Sequence, residues 1–269
     1  MFMFFVLTTA LLYSLSAGIQ YLHLINQASS SMLFHKRTAK TLAIAAIAGH
    51  TLILRQSLHL DSGINLSLLS TGSLVSWLVA LVLMISSSRQ KVDTLFIGVL
   101  PMATLLLLLD ALFSQPDPKP YATGVISHIL LSVLSYSIFT LATFQAILLH
   151  QQNNALKRNI SSGFLNSLPP LQTMERLLFE MLWTGFILLS AALVTGTIYV
   201  DNIVDQQLAH KTLLSLISWL IFAVLLFGRL FWGWRGHKAI RWTIGGFVSL
   251  MLGFFGSKLV LEVILNNPT

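Results

Sequence analysis

The length of the apolar runs limits this chain more than any other feature. Eight stretches follow one another with short connections, at Met3–His23, Thr38–Leu58, Leu66–Ser86, Val92–Leu112, Gly124–Leu149, Leu177–Val200, Thr212–Phe231 and Ala239–Leu261. Each approaches or exceeds the ~20 residues that carry a helix across a hydrocarbon core roughly 30 Å thick. In lipid every backbone N–H and C=O must be satisfied internally, and runs of this length achieve that as helices. The expected fold class is all-α: a polytopic integral membrane protein whose eight spans form a single transmembrane domain over residues 1–269.

Composition excludes the soluble alternatives. Only 9% of residues are charged, whereas a water-facing domain carries about 25%. Cysteine is absent, which removes disulfide scaffolds, thiolate zinc sites, iron–sulfur clusters and cysteine nucleophiles. The net charge of +7 comes from 16 Lys and Arg residues lying in short clusters between apolar blocks. The partner they imply is the lipid bilayer and not nucleic acid.

The same clusters give an orientation, because Lys and Arg are retained on the cytoplasmic side. Lys36, Arg37, Lys40, Arg89, Lys91, Lys157, Arg158, Arg176, Arg229, Arg235, Lys238 and Arg241 fall on one set of alternating connections and adjoining helix ends. Arg55, Lys119, Lys211 and Lys258 fall on the other, with most of the acids: Asp61, Asp117, Asp201, Asp205 and Glu262. Both termini are then expected outside. The first span has no basic leader and no small-residue cleavage site, so it reads as a retained helix. The longest connection, His150 to Thr173, is broken by Pro169-Pro170, and Leu156–Leu165 within it is expected to lie as a short amphipathic helix on the inner leaflet.

Ionisable groups inside a span are functional candidates by default. His50 stands ten residues beyond Lys40, about 15 Å along a helix and near the midplane. The small residues of Ala45-Ala46-Ile47-Ala48-Gly49 before it allow a neighbouring helix or a flat ligand to approach. Its imidazole either hydrogen-bonds an adjacent helix or ligates a metal. His128 enters the fifth span in a stripe with Ser127, Ser132, Ser135 and Tyr136, and the same two readings apply. Arg55 and Asp110 are expected to pair across the second and fourth spans. Glu180 and Arg229 occupy the opposite zone of the sixth and seventh spans, where they either pair or, as Glu180 favours, snorkel to the interface. His210, Lys211 and His237 read as solvated, and His23, His35, His59 and His150 as helix-end residues. Trp77, Trp183, Trp219, Trp232, Trp234 and Trp242 read mostly as an interfacial belt with packing roles. No GxSxG, HExxH or GxxxxGK[ST] motif occurs, and no pair of membrane-depth carboxylates; no enzymatic activity is expected.

Five ordered blocks then carry a family resemblance. Ser218-Trp219-Leu220-Ile221-Phe222-Ala223 followed by Trp232-Gly233-Trp234-Arg235-Gly236-His237-Lys238-Ala239 resembles the SWLxYA…GWRGR block of the cytochrome c assembly family, which includes CcsA, ResC and HemX-like proteins. Leu168-Pro169-Pro170-Leu171 through Met174-Glu175-Arg176-Leu177, Gly185-Phe186 and Thr195-Gly196 is similar to the family's LPxLxxLDRL…GF…TG stretch. His50-Thr51-Leu52 with Arg55, Ser127-His128 with Ser135-Tyr136, and Gly253-Phe254-Phe255-Gly256 resemble blocks of its second, fifth and last helices.

The resemblance implies a multi-pass protein of the bacterial inner membrane, with haem as cofactor, His128 as the main iron ligand and His50 as a secondary one. Its haem synthetase branch carries a WGxxWxWD loop where this chain has Tyr199-Val200-Asp201-Asn202-Ile203-Val204-Asp205-Gln206-Gln207. That branch's seventh-helix histidine falls near Phe227, and its C-terminal histidine has no counterpart after Gly256. The expectation is thus a non-catalytic haem-handling protein. The alternative is an accessory or regulatory subunit that keeps the fold without haem and docks a partner membrane protein. A transporter finds little support beyond Pro101 in the fourth span.

Overall fold

The computed structural model describes residues 2–25, 32–60, 63–90, 92–115, 118–158, 168–199 and 206–256, with the side chains of residues 32–35, 59–60 and 206–211 outside that description. Among these residues, eight helices are long and apolar enough to cross a membrane. They are α1 (Phe2–Ile25), α2 (Met32–Leu58), α3 (Leu68–Ser86), α4 (Phe96–Phe113), α5 (Thr123–Lys157), α6 (Leu171–Tyr199), α7 (Gln206–Trp232) and α8 (His237–Met251), the last continuing as a wider turn over Leu252–Gly256. The expected all-α membrane class holds. Several boundaries differ from the apolar runs: α2, α6 and α7 begin earlier, at Met32, Leu171 and Gln206, and α5 ends later. α5 continues past Leu149 to Lys157 because polar residues leaving the hydrocarbon need not end a helix, and the Gln152 amide donates to the Pro169 carbonyl at 3.0 Å. α6 begins directly after Pro169-Pro170, where proline's fixed φ suits a helix entry. Of the amphipathic helix expected at Leu156–Leu165, Leu156 and Lys157 complete α5; residues 159–167 lie outside the described residues.

The chain forms two compact units, Met1–Lys119 with Gln151–Leu171 and Pro120–His150 with Gln172–Thr269. In the first, α1 packs on α2 and α4, and α3 on α2 and α4, which closes a ring of four helices. Lipid tails are as apolar as leucine, so small residues and hydrogen bonds must hold such a ring together. A side chain at Gly49 would place its Cβ 2.6 Å from Thr9 Oγ1, and this bare patch is what lets α1 lie against α2. Ser16 Oγ donates to the Ala39 carbonyl at 2.7 Å along the same seam. A three-stranded antiparallel sheet, β1 (His59–Leu60), β2 (Gly63–Asn65) and β3 (Pro118–Lys119), caps one end of the unit. At the other end Lys36 and Lys40 both clamp Asp93, at 2.7 and 2.9 Å.

Asp110 does not pair with Arg55. It is 5% exposed and accepts from Ser70 Oγ at 2.8 Å and Ser57 Oγ at 3.2 Å. Ser67, Ser70 and Ser114 hydroxyls lie 3.0 Å from one another, and Asn65 links this cluster to the sheet through Ser70 Oγ and the Ser67 N–H. Hydroxyl donors satisfy the carboxylate more locally than a long guanidinium on α2 could.

In the second unit the centre is a face-to-face pair, Phe139 of α5 on Phe222 of α7, with ring centroids 3.9 Å apart and planes at 8°. Gly185 of α6 and Gly246 of α8 make room for it: a Cβ at either would come within 2.9 Å of the Phe139 ring or 2.8 Å of the Phe222 ring. Ser135 donates to the Gly185 carbonyl at 3.1 Å, Tyr136 to Leu250 at 3.3 Å and Gln145 to Met174 at 3.0 Å, so α5 is tied to α6 and α8 by side chain to backbone bonds. The GWRG segment is the α7–α8 turn. Gly233 and Gly236 take left-handed φ of 63° and 56°, a conformation costly for other residues. The turn folds Trp234 back onto Gly228, where a Cβ would sit 2.6 Å from the indole.

The tryptophans divide. Trp77 and Trp219 stand mid-helix in α3 and α7, donating to Thr51 Oγ1 at 3.0 Å and Ser190 Oγ at 2.8 Å. They are interhelical ties and not belt residues. Trp232, Trp234 and Trp242 cluster at the α7–α8 turn.

Candidate functional site

The two membrane-depth histidines have different surroundings. His50 is fully buried. Its Nε2 lies 3.0 Å from Ser73 Oγ and its Nδ1 3.3 Å from the Tyr13 hydroxyl, with the tyrosine ring edge-on to the imidazole. Both nitrogens are therefore occupied by hydroxyls from α3 and α1, and α2 is held between them. The small-residue run before it receives α1, through Thr9 on Gly49.

His128, on α5, is half-buried. Its Nδ1 is 2.7 Å from the Ala192 carbonyl of α6. A carbonyl only accepts, so the ring proton sits on Nδ1 and Nε2 presents its lone pair. Among the described residues nothing bonds to that nitrogen. Gly196, one turn along α6, supplies the space: a Cβ there would lie 2.9 Å from Cε1 and 3.0 Å from Nδ1 of the ring. A carbonyl that orients one imidazole nitrogen while the other stays open is the arrangement used by metal-binding histidines. Among the described residues no three His, Asp or Glu side chains gather at one point.

The polar stripe around His128 is partly interhelical. Ser135 and Tyr136 bond to neighbouring helices, as described above, while Ser127 bonds to Thr123 of its own helix at 3.2 Å. The Ala192 carbonyl and Gly196 were not legible as partners of His128. The only signal was the Thr195-Gly196 pair, whose glycine could mark a close approach without saying to what.

At the basic end of this unit, Arg229 pairs with Glu175 at 2.8 Å and not with Glu180. Arg229 also donates to the Trp234 carbonyl at 3.3 Å and lies 4.6 Å from the centre of the Phe179 ring. Glu180 is exposed and pairs with Arg176 one turn away at 3.4 Å, consistent with snorkelling. His237 faces His150, with ring centroids 5.5 Å apart.

Comparison with known proteins decides the family. The model of the cytochrome C assembly protein family matches residues 1–265. The chain belongs to this family. Within the cytochrome c assembly family it is 33% identical over 237 residues to the inner membrane protein YpjD of Escherichia coli strain K12, covering 85% of this chain and 88% of that one. It is 28% identical over 117 residues to the cytochrome c biogenesis protein CcsA of Prochlorococcus marinus strain NATL1A, covering 41% of this chain and 37% of that one. To the protein HemX of Brevibacillus brevis it is 26% identical over 134 residues, 49% of each chain. No solved structure matches the chain at a significant level. Membership in the cytochrome c assembly family supports a haem-related assembly role, and the eight spans with the YpjD relationship make the chain a multi-pass protein of the inner membrane.

Proposed function

We propose that the protein is a non-catalytic haem-handling protein, with His128 as the iron ligand through Nε2 and His50 as a structural histidine. The supporting observation is the Nδ1 to Ala192 carbonyl bond at 2.7 Å, which sets the tautomer a ligand needs. His50 is assigned differently because both of its nitrogens meet hydroxyls. Bound haem would supply a redox-active iron; the chain's part is to hold the imidazole at a fixed angle and keep its proton on Nδ1. With the basic connections on the cytoplasmic side, both termini and His128 belong to the outer half of the membrane. The stretch Tyr199–Gln207 contains no Trp, and its residues 200–205 lie outside the described residues. The Trp-rich presenting loop of the family's synthetase branch is therefore absent from the sequence, which favours carrying or sensing haem over attaching it.

The test is a visible spectrum of protein purified from haem-replete membranes. The wild type should show a Soret band and His128→Ala should lose it while remaining folded. His50→Ala should keep the band but lower stability by about 2–4 kcal/mol, from a buried cavity and two stranded hydroxyls. A colourless wild type would overturn the reading and leave the accessory-subunit alternative, to be followed by co-purification of a membrane partner.

A further inference from the structure

A cavity of about 710 Å³ opens at the N-terminal end of α1, lined by Phe2 and Phe5 of that helix and by Leu52, Ile53, Arg55 and Gln56 of α2. Phe2, Phe5 and Leu52 are 39%, 50% and 59% exposed, so the groove opens sideways on a surface that lipid covers. Arg55 is exposed, and among the described residues it makes no ion pair. The acid that spacing offers it, Asp110, is taken by Ser57 and Ser70. Arg55 stands three residues before the end of α2 at Leu58, about 4.5 Å along the axis, at the level of lipid headgroups.

We propose that this groove binds one anionic glycerophospholipid, its phosphate on the Arg55 guanidinium and an acyl chain along Phe2, Phe5 and Leu52. A guanidinium matches phosphate oxygens with two parallel N–H donors. Among the described residues no carboxylate lines the groove, so the ammonium of a zwitterionic headgroup has nothing there to meet, and the site discriminates by headgroup charge. A single guanidinium suits a single phosphate. The volume lies within the roughly 300–1,000 Å³ of ordinary small-ligand pockets.

Native mass spectrometry of the full chain, delipidated in neutral detergent, tests this with phosphatidylglycerol and phosphatidylcholine of identical acyl chains. One phosphatidylglycerol should be retained about fivefold more than phosphatidylcholine, the effect of one basic residue beside an anionic headgroup. Arg55→Gln should remove that preference, Arg55→Lys should keep part of it, and Phe5→Ala should lower retention of both lipids. Millimolar inorganic phosphate should not displace the lipid. Equal retention of the two lipids, an unchanged preference in Arg55→Gln, or displacement by phosphate alone would each overturn the proposal. Arg55 is exposed, so its variants leave the packed ring of helices intact.

Discussion

Glu175→Ala is expected to lower the stability of the second unit by about 2–4 kcal/mol, measured by unfolding in mixed micelles of sodium dodecyl sulfate. Arg229 and Glu175 have side chains only 25% and 17% exposed, and their charges lie 2.8 Å apart. Removing the carboxylate strands a guanidinium between the Phe179 ring and the Trp234 carbonyl, at the edge of the hydrocarbon. A fully buried pair broken in this way costs ~3–5 kcal/mol, and partial exposure brings the figure down. Arg235, whose Nε is 3.8 Å from the same carboxylate oxygen, adds a second cation to the uncompensated charge. Replacing both partners, Arg229→Met with Glu175→Leu, should recover most of the loss, because the stranded charge disappears with its partner. Glu180→Ala is the control. Its pair with Arg176 is 72% and 47% exposed, and such pairs contribute ~0–1 kcal/mol. Equal losses in Glu175→Ala and Glu180→Ala would contradict the assignment.

Adjacent glycines of α8 should respond with opposite signs. Gly246→Leu is expected to cost about 3 kcal/mol or more, because even the first carbon of a side chain there meets Phe222 Cζ at 2.8 Å and Ile221 Cγ2 at 3.1 Å. Phe222 cannot retreat easily, because its ring is stacked on Phe139 with centroids 3.9 Å apart. A Cβ at Gly245 meets nothing within 4 Å, so Gly245→Ala should gain up to ~1 kcal/mol from helix propensity alone. The same micelle unfolding series reads both, and a loss in Gly245→Ala comparable to that of Gly246→Leu would show that the backbone, and not the ring sandwich, sets the tolerance of this helix.

The spans were readable because each is a local property of some twenty consecutive residues, and lipid permits no other solution for them. The pairings were not. Arg55 and Asp110 lie at matching depths, but depth is one coordinate. Ser70 of α3, held in a cluster with Ser67, Ser114 and Asn65, and Ser57 of α2 itself reached the carboxylate first. The small sheet is not legible in the sequence, because strands of two or three residues carry no usable alternation. Arg229 chose Glu175 over Glu180 because α6 turns the former toward α7 and the latter outward. For His50, the sequence offered ligand and hydrogen-bond partner on equal terms, and only Tyr13 and Ser73, far away along the chain, fill both of its nitrogens.

The amino-acid order by itself settles that this is a membrane protein of eight helices and, through five short blocks, which family it resembles; both follow from hydrophobicity and identity read along one dimension. What a particular imidazole, guanidinium or carboxylate faces was decided only by the packing of helices, since residues a few positions apart on a helix point to different faces and the partners they meet come from distant segments. His128 shows this most directly: its ring could be located in the sequence, but the carbonyl of Ala192 that orients it and the bare Cα of Gly196 that admits it belong to another helix.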